Sequence, residues 1–181
     1  PAPAPPAAGG HGMRNVIGHN VQFLQQVAKL EQYAASDAGV LITGETGTGK
    51  EVFAQAIHYL SPRASRPWVA VNCGAIPSEL IESELFGHVR GAFTHAQASR
   101  DGLVHEAEHG TLFLDDIDCM PLPAQAKLLR FLQEGEYRRV GANAVQTADV
   151  RVIASSNCRP AELAAQNRSE EHTSELQSPM Y

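Results

Sequence analysis

Val40-Leu41-Ile42-Thr43-Gly44-Glu45-Thr46-Gly47-Thr48-Gly49-Lys50-Glu51 decides the fold of this chain. A short apolar run enters a glycine-rich turn, and the turn ends in a lysine at the head of a helix-like segment over 51–60. Glycines let successive backbone N–H groups turn inward around phosphate oxygens, the helix presents its positive N-terminus, and Lys50 can reach the β and γ phosphates. The GxxxxGK spacing therefore reads as a phosphate-binding loop with Gly44, Glu45, Thr46, Gly47, Thr48, Gly49, Lys50 and Glu51 as nucleotide-binding residues. In such loops a Ser or Thr commonly follows the lysine and ligates Mg2+. Glu51 stands there instead, so the metal must be held partly by other groups.

Outward from this loop, helix-like and strand-like segments alternate. The pattern predicts helices over 21–33, 51–60 and 123–133, and strands over 40–43, 68–72, 111–115 and 150–155. Strands that read as continuous apolar runs are buried on both faces, which predicts an α/β fold with a mostly parallel sheet covered by helices on both sides. Sites then lie at the C-terminal ends of the strands. The run Thr111-Leu112-Phe113-Leu114-Asp115-Asp116 ends such a strand in two acids and reads as a Walker B element. Asp115 is expected to face Mg2+, and Asp116 to orient the attacking water.

Composition narrows the rest. At 181 residues, 43% hydrophobic and 19% charged, the chain can bury one real core. A net charge of -6 and the absence of any basic run give no general electrostatic reason to bind nucleic acid. Cys73, Cys119 and Cys158 are odd in number and widely spaced, which suits buried small hydrophobes in a reducing cytosol better than a disulfide framework. No run reaches transmembrane length and no signal-peptide pattern is present, so the expected location is cytoplasmic, without membrane contact. Residues 1–12 hold four prolines in the first six positions and a Gly-Gly pair, and read as a linker; with no starting Met, the chain reads as a fragment. The last stretch, 168–181, resembles translated sequencing adapter and is expected to be non-native. The domain expected between them covers 13–167.

Five blocks carry a family resemblance: Gly44 to Glu51, Glu82-Ser83-Glu84-Leu85-Phe86-Gly87-His88, Gly91-Ala92-Phe93-Thr94-His95-Ala96, Gly110 to Asp116, and Arg151-Val152-Ile153-Ala154-Ser155-Ser156-Asn157. Together, over about Val16 to Asn167, they resemble the AAA+ central domain of sigma-54-dependent transcriptional activators, the bacterial enhancer-binding proteins. The resemblance makes Glu51 a family trait. It implies an ATPase that binds ATP and Mg2+, assembles as a homo-oligomeric ring, a hexamer, and remodels the sigma-54 RNA polymerase holoenzyme at promoters. By the same resemblance Asn72 matches the asparagine that holds the Walker B acid in an off or on orientation. Asn157 matches the sensor of the γ-phosphate, and the tip Phe93-Thr94 within 91–96 matches the loop that grips sigma-54. Asp116 replaces the family's usual Glu and is one methylene shorter, which predicts slowed hydrolysis. His95 replaces a glycine of GAFTGA, which leaves open a regulator that acts without sigma-54. The helical lid, the arginine fingers and the DNA-binding domain of such proteins would lie beyond 167, so this fragment is expected to be weak or inactive as an ATPase.

One competing motif remains. His105-Glu106-Ala107-Glu108-His109 fits HExxH, the zinc-peptidase pattern of two histidines one helical turn apart with a glutamate as base. That reading requires the helix to continue past the second histidine, yet Gly110 ends the segment and a buried strand follows at once.

Overall fold

The computed structural model describes residues 29–94 and 96–157. The expected linker over 1–12, the first part of the helix expected over 21–33, His95, Cys158 and the tail at 168–181 lie outside the described residues. Residues 29–35 are helical (α1). Then follow β1 (Val40–Thr43), α2 (Lys50–Tyr59), β2 (Trp68–Asn72), α3 (Ser78–Phe86), α4 (Leu103–Glu106), β3 (Thr111–Asp115), α5 (Leu122–Glu134), the short strands β4 (Glu136–Tyr137) and β5 (Gln146–Thr147), and β6 (Arg151–Ser156).

Four strands form one sheet in the order β1-β6-β3-β2, every pair parallel. β4 and β5 pair antiparallel in a separate hairpin. The central strands β3 and β6 divide their side chains between two cores, as the period of two requires. Leu112, Leu114, Val152 and Ala154 enter a core with Ile81, Leu85 and Phe86 of α3 and Ala124, Leu128 and Phe131 of α5. Phe113 and Ile153 face the other way, onto Leu30 of α1 and Ala54, Ala56 and Ile57 of α2. Helices thus cover both faces, which is why these strands carry no polar alternation.

The helix ends follow local chemistry. α5 begins after Pro121, with Pro123 in its first turn where a missing N–H costs nothing, and buries Ala124, Leu128 and Phe131 at helical spacing. Gly135 ends it at φ 69, its N–H donating to Phe131 O at 2.8 Å. Gly110 has a different task. A Cβ there would sit 2.1 Å from Pro67 O, so only glycine lets the chain cross as closely as it does between β2 and β3.

A polar network lies at the N-terminal end of the sheet, away from the glycine-rich loop. Arg151 is buried at 2% exposure and donates from Nη1 to Ala34 O at 3.3 Å and from Nη2 to Tyr33 O, carbonyls in the last turn of α1. Opposite it in register, Thr111 shares a hydrogen bond of 2.9 Å with His58 Nδ1. Burial, and then the neighbouring Arg151, hold the His58 pKa below its ordinary value; burial likewise lowers that of Arg151. Arg63 closes the network outside, bridging Asp37 at 3.0 Å and Asp149 at 2.7 Å, and its hydrogen bonds hold both carboxyls below the usual range.

Candidate nucleotide-binding site

The loop 44–49 leaves β1 at the C-terminal edge of the sheet, where Gly44 N–H donates to Ser156 O at 3.2 Å. Gly47 and Gly49 both stand at φ 82, and nothing lies within 4 Å of where a Cβ would be on either. That is left-handed backbone with open space beside it, the condition for amides to face a bulky anion. Gly49 leads directly into α2, and Glu51 lies in the first helical turn with its carboxylate accepting from Gln55 Nε2 at 3.2 Å. Thr48 Oγ1 donates to Glu45 O at 2.7 Å, which stiffens the loop's base.

Lys50 is buried and folded back over the loop. Its Nζ donates to Gly44 O at 2.9 Å, Glu45 O at 3.1 Å and Asn157 Oδ1 at 2.6 Å. Thr46 Oγ1 reaches the same Asn157 oxygen at 3.3 Å. Asn157 Nδ2 in turn donates to Asp116 Oδ1 at 2.7 Å. Asn72 Nδ2 donates to Asp116 Oδ2 at 3.2 Å and Asp115 Oδ2 at 3.3 Å. The sequence-predicted residues Lys50, Asn157, Asp116, Asp115 and Asn72 therefore form one hydrogen-bonded line across the strand ends.

Backbone geometry aims this line. Asn72 ends β2 and caps the next turn, its Oδ1 accepting from Ala75 N at 3.1 Å, so the amide nitrogen is left to face the acids. Asp116 adopts φ 52, left-handed backbone that few residues other than Gly, Asn and Asp take easily. This turns its carboxylate toward Asn72 and Asn157. Asn157 N lies 3.4 Å from Asp118 Oδ1. Two contributors were missed by sequence reasoning, Asp118 and Ser155. Ser155 donates from Oγ to Asp115 Oδ1, brought there by strand register, one step beyond the Leu114 and Ala154 pair.

Residues 91–94 and 96 form a compact turn apart from this line. Gly91, at φ 82, donates to Ala96 O at 2.8 Å, and Ala96 N donates to Phe93 O at 2.9 Å. Phe93 is 38% exposed, with its ring edge-on to His88 at 5.0 Å. Thr94 is exposed, Ala92 half-buried, and Ala96 buried. The loop thus presents Phe93 and Thr94 outward while Ala96 anchors it.

The HExxH alternative meets a physical obstacle. α4 stops at Glu106, and His109 stands at φ 61, so His105 and His109 do not share a helical face. His109 Nδ1 lies 3.3 Å from Asp149 Oδ2, and His105 Nε2 lies 3.9 Å from Asp101. Among the described residues no group of three or more His, Cys, Asp or Glu side chains is arranged to hold a metal ion. Cys73 is buried, and burial pushes its thiol up to about 12, the behaviour of a small hydrophobe.

A parallel sheet with helices on both faces, a glycine loop at its C-terminal edge and a lysine opening the next helix define a P-loop nucleoside triphosphatase domain. The sigma-54 interaction domain matches residues 16–173, and the chain belongs to this family. It is 49% identical over 152 residues to the transcriptional regulatory protein GlrR of Escherichia coli strain K12, covering 84% of this chain and 34% of that protein. NtrX from Brucella abortus in complex with ATP superposes with a TM-score of 0.76 at 34% identity, covering 84% of this chain and 33% of NtrX. The P-loop NTPase domain of a sigma-54 activator from E. coli matches at TM-score 0.55 and 21% identity, covering 83% of this chain and 85% of that one, a likeness of fold alone. The chain spans about a third of the length of the relatives it matches. No helix among the described residues is long and apolar enough to cross a membrane.

Proposed function

We propose that the chain is the nucleotide-responsive part of a sigma-54-dependent transcription regulator, binding ATP with Mg2+ and hydrolysing it when a complete parent assembles as a ring. The observation that carries this reading is the unbroken line Lys50, Asn157, Asp116, Asn72, which joins the glycine loop to both acids. The residues fit the group. Gly47 and Gly49 leave open space where side chains would stand, and among the described residues the two carboxylates accept from neutral amides and a hydroxyl rather than from cations.

In this reading the amides of 44–49 and the Lys50 ammonium hold the phosphates, while Glu51 stays in the first turn of α2. Asp115 would hold Mg2+, which would supply neutralisation of phosphate charge. Asp116 accepts a proton from, or orients, the attacking water. Asn157 lies between Lys50 and Asp116, so its amide oxygen would keep only Thr46 as a donor if Lys50 turned toward a bound phosphate. Asn72 holds Asp116 from the other side and releases it when Asn157 changes partner. The Phe93-Thr94 tip, with Gly91, Ala92, His95 and Ala96 as its frame, docks sigma-54. DNA contact belongs to a further domain of the parent.

The binding half is tested by titrating a fluorescent ATP analogue into the wild type and Lys50→Ala. A loss of about 10- to 100-fold is expected for one charge-assisted contact; equal affinity would refute the loop assignment. The partner half is tested in a full-length parent by retaining sigma-54 on the protein trapped with a transition-state nucleotide. Phe93→Ala should lose retention with the fold intact. Absence of retention by the wild type, with normal ATPase, would favour a regulator that acts without sigma-54.

A further inference from the structure

A parallel sheet places in-register side chains of neighbouring strands on one face, and the row at the C-terminal edge here is unusual in its chemistry. Ile42 of β1 pairs with Ser155 of β6, and Asn72 of β2 pairs with Asp115 of β3. The β3 and β6 register runs through Leu114 opposite Ala154, so the next step sets Asp115 beside Ser155. The row therefore reads Ile42, Ser155, Asp115, Asn72, with a single carboxylate between a hydroxyl and an amide. It projects toward the same face as Phe113 and Ile153, the face covered by α2.

The Ser155 hydroxyl uses its donor and one acceptor position on the two acids. Its Oγ donates to Asp115 Oδ1, and it accepts from Asp116 N–H at 3.2 Å. Ser155 is fully buried, so its hydroxyl does not turn toward water. Asn72 lies on the other side of Asp115, exposed, and divides one NH2 group between Asp115 and Asp116. The carboxylate of Asp115 is thus gripped asymmetrically, Oδ1 by a buried partner and Oδ2 by an exposed one that is shared.

We propose that Ser155 is the positioning residue for the two acids: it fixes the Asp115 carboxylate and the left-handed turn at Asp116 in every nucleotide state, while Asn72 changes partners. The inference rests on the reading of the site as one for ATP with Mg2+. It assigns opposite tasks to two side chains that touch the same carboxylate. Asn72 is the movable contact, and Ser155 is the one that keeps Asp115 aimed when Asn72 lets go. Without the hydroxyl, Asp115 Oδ1 loses its donor and the Asp116 amide its acceptor, so both acids gain freedom where a metal needs them fixed.

The test separates metal positioning from general damage. A fluorescent ATP analogue is titrated into the chain, as the wild type, Ser155→Ala and Ser155→Thr, once with Mg2+ and once with a chelator. Ser155→Ala should bind about 10-fold more weakly with Mg2+, the usual effect of removing a group that orients a metal-binding carboxylate, and equally well without it. Ser155→Thr retains the hydroxyl and should restore the Mg2+ effect; melting curves on the same samples show any crowding from its methyl. An unchanged Mg2+ effect in Ser155→Ala overturns the proposal, and so does an equal loss with and without Mg2+. If the wild type itself binds no nucleotide, the ATP reading of the site falls first and this inference with it.

Discussion

Replacing Asn72 by aspartate changes one NH2 into an oxygen and almost nothing else in shape. The capping oxygen stays, so Ala75 N–H keeps its acceptor at 3.1 Å. What changes is the charge: the new oxygen stands where Nδ2 now lies, 3.3 Å from Asp115 Oδ2 and 3.2 Å from Asp116 Oδ2. Two like charges at such separations repel by about 1.3 kcal/mol in water and about 5 kcal/mol at an effective dielectric of 20. Asn72 is exposed, which selects the low end, and the two pairs together give about 2.5 kcal/mol. For a chain of this size that lowers Tm by about 5–10 °C. The repulsion should be relieved by millimolar Mg2+ and by mild acid, because either a cation or a proton removes it. The assay is thermal unfolding of wild type and Asn72→Asp near neutral pH, with and without Mg2+, repeated in mild acid. A drop of less than about 1 °C, or one that neither Mg2+ nor acid reduces, would refute the placement of Asn72 against both acids.

Other expectations follow from the same geometry. In a complete parent, Asp116→Glu restores the longer arm and should raise ATP turnover; an unchanged rate would mean that the shorter carboxylate, held by Asn72 and Asn157, already reaches the water. Gly110→Ala places a methyl 2.1 Å from Pro67 O, the acceptor of Thr111 N, and moves Gly110 O away from Arg151 N and Arg63 Nη1. It should cost about 3 kcal/mol or more by urea unfolding. His58 has a folded pKa below its unfolded value of 6.5, so the unfolded chain binds the proton more readily. Stability is complete above that value and falls as the pH drops through it toward the folded pKa; His58→Gln should flatten this limb of the urea midpoint against pH. Asp37 and Asp149, held low by Arg63, add a second loss as the pH falls below 3.8.

Most of the sheet was legible because its strands are apolar on both faces. The strands expected over 40–43, 68–72 and 111–115 are found at those bounds, and that expected over 150–155 lies one residue later as β6. Helices expected at 51–60 and 123–133 differ by a residue at their ends, as fraying and capping allow. α3 was overlooked although Ile81, Leu85 and Phe86 lie on one side of it, because five of its nine residues are Glu or Ser, all but Ser83 exposed or half-buried, and its apolar stripe is narrow. The hairpin of β4 and β5 has two residues a side, too few to show a period. Within the site, motif spacing singled out Lys50, Asp115 and Asp116, while Asn72 and Asn157 were singled out only by the family resemblance. Strand order and register brought out Ser155, and neither is written locally in a sequence, since both arise from pairing between distant segments.

Arg151 sets a limit on where this domain can be cut. Its two bonded acceptors belong to the last turn of α1, at Tyr33 and Ala34, well ahead of the glycine loop. A version trimmed to begin at Asp37, just before β1, would keep every described residue of the nucleotide site and still strip the Arg151 guanidinium of both bonded acceptors and the core of Leu30. The minimal working unit therefore starts upstream of the motif by which it is recognised, and α1 counts as part of the engine housing rather than as its lead-in.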